Sequence, residues 1–110
     1  MIKWNSRTEL LSFFGETWSI KFVDHASLTE GQVEGAFNGG VIIPTKRTIE
    51  ISTKWPNGKA IEKETIENTV RHELVHMIFL NGQYLNCYDD EPLVEWTAKA
   101  IGQLVKSGLI

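Results

Sequence analysis

His72-Glu73-Leu74-Val75-His76 sets two histidines four residues apart, with a glutamate directly after the first. On an α-helix of about 3.6 residues per turn, positions i and i+4 stand one above the other, so both imidazoles can reach one metal ion from one face. Glu73 is turned about 100° from His72, which puts it beside such an ion, where a carboxylate can deprotonate a bound water. The pattern is H-E-x-x-H, and it has this mechanical reading only if the segment is helical. The flanking sequence supports a helix. Asn57-Gly58 breaks the chain before the motif and Asn81-Gly82 stops it, so the spacing predicts a helix over 60–80 with the motif in its second half.

Downstream, residues 83–89 read as a loop, and Asp89-Asp90-Glu91-Pro92 as the start of a last helix reaching Lys106. Acidic residues favour the positive end of the helix dipole, and proline is tolerated in the first turn. Leu93, Trp96, Thr97, Ala100, Ile101 and Leu104 form an apolar stripe expected to face the core. Glu91, Glu95, Ala98 and Gly102 form a second line, acidic then small. It would let this helix approach the motif helix closely while its first turn offers carboxylates to a metal.

Upstream, Ser6 and Glu9 make an S-x-x-E capping box and Gly15 suits a C-terminal cap, which predicts a short helix over 7–14. Alternating residues predict strands over 18–23 and 47–52, the latter ended by Trp55-Pro56-Asn57-Gly58. A weaker strand is expected over 31–38, turned by Gly39-Gly40. The expected architecture is α+β: a short N-terminal helix, a small three-stranded twisted sheet, a long motif helix and a C-terminal helix carrying ligands, all in one domain over 1–110.

Composition narrows the partners. Of 110 residues, 42% are apolar and 23% charged, an ordinary globular balance. The net charge of −3 comes without any lysine or arginine cluster able to neutralise several phosphates, which argues against nucleic acid. Residues 1–9 are polar, and no run approaches about eighteen apolar residues, so neither a signal peptide nor membrane attachment is expected. The single cysteine, Cys87, has no internal disulfide partner. Cytoplasmic residence follows as the expectation.

A catalytic zinc takes three protein ligands and leaves one position for water. His72 and His76 supply two. His25 lies far upstream, so the downstream candidates for the third are Cys87, Asp89, Asp90, Glu91 and Glu95. Glu91 and Glu95 share a helix face, so one can bind the metal while the other holds a ligating imidazole through its second ring nitrogen. A set of His72, His76 and Cys87 with one carboxylate would instead close a structural zinc site.

His72-Glu73-x-x-His76 followed by Glu91-x-x-x-Glu95 resembles the gluzincin metallopeptidases, most closely their small single-domain members, the minigluzincins, and similar short proteins of bacteria and their phages. The resemblance covers roughly residues 48–106 in order of elements. It implies a zincin-like fold and zinc-dependent hydrolysis of a peptide or protein substrate. Carried over residue by residue, His72, His76 and Glu91 would bind zinc, Glu73 would be the general base, and Glu95 would orient a ligating histidine. Glu95 stands where many gluzincins have aspartate, and the lower subdomain is far shorter than in large members. Tyr84 or Tyr88 could stabilise the oxyanion of a tetrahedral intermediate, as in related peptidases. In similar folds an extended peptide pairs with an edge strand above the metal; 33–38, with its small Gly35 and Ala36, is the segment expected to serve. The alternative is a non-catalytic or latent zinc-binding domain, structural or regulatory, with latency arising from the tail 107–110.

Overall fold

Residues 8–13 form a strand where the capping box pointed to a helix. In the computed structural model, which describes residues 8–108 and 110, β1 (Thr8–Phe13) pairs antiparallel with β2 (Glu16–Val23), and Phe13 lies opposite Glu16. Phe14 and Gly15 between them both have positive φ, 46° and 80°. That is what a two-residue hairpin turn demands, because its twist then matches the strands. The misreading has a physical origin. A glycine that caps a helix and a glycine that turns a hairpin are both chosen for left-handed backbone. What separates them here is period: Glu9, Leu11 and Phe13 are half-buried while Thr8, Leu10 and Ser12 are exposed. Ser6 and Arg7 lie outside the described residues.

The sheet has four strands, not three. Besides β1 and β2 it contains β3 (Gly40–Ile43) and β4 (Thr48–Ser52), in the order β1-β2-β4-β3. β2 and β4 run parallel and the other pairs antiparallel. No strand forms over 31–38, so the edge strand expected at 33–38 does not exist. Gly31 and Gly35 adopt φ of 86° and 94°, which extended backbone does not allow. The edges are β1 and β3, and the Val41-Ile42-Ile43 run of β3 has the β-branched side chains a strand favours. Gly40 opens that strand and does not turn it. A 3-10 turn (Pro44–Lys46) and a left-handed Arg47 (φ 46°) link β3 to β4, which starts one residue later than expected.

Trp18, Ile20 and Phe22 alternate along β2 and are buried, as are Ile49 and Ile51 on β4. Ile20 pairs with Ile49 and Phe22 with Ile51, so the two central strands contribute one apolar face. Burying each such side chain stabilises by roughly 1.5–3 kcal/mol, which makes this pair of strands the anchor of the sheet. The turn after β4 forms as expected: Gly58 has φ 86°, and Trp55 N–H donates to the Lys59 carbonyl at 2.8 Å. Ala60 bridges back to Lys54, and Ile61 N–H donates to the Thr53 carbonyl. That pairing delays α1 to Lys63–Asn81, three residues after the expected start.

By its contacts the chain divides into two compact units, Met1–Ile66 and Glu67–Ile110. The first holds the sheet. The second holds most of α1, a short α2 (Leu85–Tyr88) within the expected loop, and α3 (Glu91–Lys106). Asp90 caps α3 by accepting from Leu93 N–H at 3.1 Å, and Glu91 and Pro92 fill the first turn. The core of this unit is Val75, Val94 and Ala98, with Phe79 and Ile101 packed against it. The stripe expected to face the core does so only in part: Ile101 packs there and Leu93, Thr97 and Ala100 are half-buried, but Trp96 is 68% exposed and Leu104 is exposed too. The small end of the second line faces inward: Ala98 and Gly102 are buried beside Val94, and a Cβ on Gly102 would meet the Arg71 guanidinium at 3.4 Å. Together the elements make an α+β fold with a mixed sheet. Among the described residues no helix is long and apolar enough to cross a membrane.

Candidate metal centre

The second unit brings His72 and His76 from α1 to face Glu91 and Glu95 from the first turns of α3. One ligand atom each from His72, His76 and Glu91 lie within 4.8 Å of one another, a group that could hold a metal ion. The helical spacing stacks the two imidazoles with centroids 5.0 Å apart. His72 Nε2 lies 3.0 Å from Glu91 Oε2, and His76 Nε2 lies 2.9 Å from Glu91 Oε1. The distal nitrogens are held as well. His72 Nδ1 is 2.9 Å from Glu95 Oε2, and His76 Nδ1 is 2.8 Å from the Tyr88 carbonyl.

These distances set up an electron-pair problem. A carbonyl oxygen only accepts, so His76 Nδ1 carries a proton, and in the neutral ring Nε2 then holds a lone pair. The Glu95 carboxylate does the same to His72. Each ring therefore has oxygen acceptors on both nitrogens, yet a neutral imidazole has one N–H to give. A proton on Glu91 or a further proton on the rings would relieve this, and so would a cation held among the two Nε2 atoms and Glu91. A divalent ion satisfies all three donors at once, and it needs the histidines in the neutral tautomer that Glu95 and Tyr88 select.

Glu73 sits beside this group without belonging to it. It is only 6% exposed, and burial pushes its carboxyl up to about 7, opposed by the His72 charge and reinforced by Glu91. In the metal-free protein this has a definite sign. The folded state holds a proton that the unfolded chain has already released, so stability falls as pH rises from about 4.5 towards about 7. Glu73→Gln lacks that loss. With chelator present, its melting temperature should gain on wild type between pH 5 and pH 8, by on the order of 2 kcal/mol in stability. A difference that stays constant across that range in calorimetry would place Glu73 in a solvated setting.

Of the two tyrosines, Tyr88 comes to the site. Its ring packs edge-on against His76 with centroids 5.3 Å apart, and burial, then Asp89, Glu73 and Glu91, raise its phenol pKa. The hydroxyl thus stays a donor. Tyr84 is exposed, and its ring covers Gly82, where a Cβ would come within 2.8 Å of it. Cys87 is a free thiol outside the ligand group, Asp90 is spent on the α3 cap, and His25 faces the Trp55 carbonyl in the first unit. One partner escaped sequence reading: the backbone carbonyl of Tyr88. Nothing in the residue type marks it, since it depends on the single turn of α2. No family model, curated protein or solved structure matches this chain.

Proposed function

We propose that the protein is a zinc-dependent metallopeptidase of the gluzincin type, built on a minimal zincin-like domain. The observation that carries this reading is the convergence of His72 Nε2, His76 Nε2 and a Glu91 oxygen, with each histidine's other nitrogen already engaged. Two imidazoles and one carboxylate fit zinc, and among the described residues no fourth donor joins the group. When bound, zinc would bring the pKa of a coordinated water near about 7 and polarise a peptide carbonyl.

The remaining chemistry belongs to the chain. Glu73 takes a proton from the attacking water and passes it to the leaving amine, a task for which burial has moved its carboxyl towards neutrality. Glu95 fixes the His72 ring and the Tyr88 carbonyl fixes His76, so both imidazoles are oriented before a ligand arrives. The Tyr88 phenol supplies a protonated donor for a developing oxyanion.

The test is zinc content by elemental analysis together with cleavage of a mixed peptide library. Protein with one zinc per chain should cleave, lose activity on chelation and regain it when zinc is returned. If the zinc-loaded chain and a version ending at Lys106 both leave the library intact, the non-catalytic zinc-binding alternative replaces this reading.

A further inference from the structure

In the first unit, residues 24–39 contain no helix or strand, a length at which an irregular segment is usually either functional or a disordered linker. The segment is nevertheless braced. The buried Ser52 hydroxyl accepts from Ala26 N–H at 2.7 Å and donates to the Asn38 carbonyl at 2.6 Å, tying both ends to β4. Asn38 and Gln32 exchange a reciprocal amide pair at 2.7 and 3.0 Å. Asn38 also donates to the Ser27 carbonyl, Gln32 accepts from Thr29 N–H, and Ser27 N–H donates to Glu50. Such a network fixes the shape of a loop with little apolar packing of its own.

What it shapes is a cavity of about 290 Å³. Ala26, Leu28, Gly35, Ala36, Phe37 and Pro56 make it apolar, and His25 is the one side chain lining it that carries polar atoms. The His25 ring meets Phe37 edge-on at 6.4 Å, and Phe37 rests against Trp55 at 5.8 Å. His25 Nε2 lies 3.1 Å from the Trp55 carbonyl. A carbonyl accepts, so Nε2 carries a hydrogen, and in the neutral ring Nδ1 then has a lone pair to accept with.

The geometry points to a binding site here, independent of the metal centre, for one ring-sized apolar group bearing a single hydrogen-bond donor, of which a phenol is the simplest case. The ring fills the apolar walls and its hydroxyl donates to His25 Nδ1. Size sets the scale: small-molecule pockets run from roughly 300 Å³ upward, so this one takes a single ring. Sign sets the chemistry, because an acceptor-only ligand would face the His25 lone pair.

The test is a nuclear magnetic resonance titration of the full chain with 4-methylphenol and with toluene, read at the Trp55 indole and the Phe37 and His25 rings. 4-Methylphenol should give saturable shifts with Kd in about the millimolar range, and toluene should bind about 5-fold more weakly for want of one hydrogen bond. His25→Leu, a change at an exposed residue, should make the two probes equal. Ala36→Leu should fill the cavity and abolish both sets of shifts while resonances of the second unit keep their positions. Absence of saturation by 4-methylphenol, equal affinity of the two probes for wild type, or full binding by folded Ala36→Leu would each overturn the assignment.

Discussion

If the protein is the zinc peptidase proposed above, peptide hydrolysis by Glu73→Gln should fall by ~10²–10⁴-fold relative to wild type while zinc content stays the same. The substitution keeps the shape of the side chain and most of its hydrogen-bonding capacity, but an amide cannot take up a proton at neutral pH. Glu73 is not among the three converging donors, so the metal group is left whole. The change also removes a carboxylate that burial disfavours, so the fold should tolerate it. The comparison therefore isolates proton transfer. Equal cleavage rates for wild type and variant, at equal zinc content, would remove Glu73 from the base role.

Much of this site was legible in the sequence because it depends on local geometry. His72 and His76 need only a helix, and the Asn57-Gly58 and Asn81-Gly82 punctuation marked one. Glu91 and Glu95 needed only a second helix start, which Asp89-Asp90-Glu91-Pro92 announced. The rotation of α3 was less legible. Two faces of that helix were candidates for burial, and the stripe with Trp96 is the more apolar. The inward face is instead the one that presents Glu91 and Glu95 to the histidines, with small Ala98 and the bare Gly102 backbone below them. Hydrophobic pattern reports how much a face would gain by burial, not which face the site requires.

The sheet failed for a different reason. Glycine marks left-handed backbone without saying whether it caps a helix, turns a hairpin or shapes a loop: Gly15 turns the β1–β2 hairpin, and Gly31 and Gly35 bend a loop where the sequence reads as a strand. The bracing of 24–39 is also invisible in sequence. It rests on backbone groups meeting the Ser52 and Asn38 side chains 11 to 26 residues away, which no short-range spacing encodes.

Loss of either histidine of the proposed metal centre should be nearly complete in its effect, whereas the two carboxylates should separate by degree. His72→Ala and His76→Ala each remove one of the three proposed ligands and should bring bound zinc close to zero, while His25→Ala should leave it at wild-type level. Glu91 touches both Nε2 atoms, so Glu91→Ala should weaken zinc binding strongly. Among the described residues Glu95 bonds to His72 Nδ1 and Lys99, so its removal frees the ring to rotate without deleting a proposed ligand. A loss of roughly 10–100-fold is typical of such a partner. Both glutamates are largely exposed, so their variants should fold and the comparison stays interpretable. Competition with a zinc chelator of known affinity gives the order, and thermal melting gives an independent reading, since a ligand at about 100 times its Kd stabilises by roughly 2.7 kcal/mol. That zinc-dependent rise in Tm should vanish in the histidine variants, shrink most in Glu91→Ala and least in Glu95→Ala. The opposite order of the two glutamates would make Glu95 the ligand and Glu91 the residue that orients the histidine.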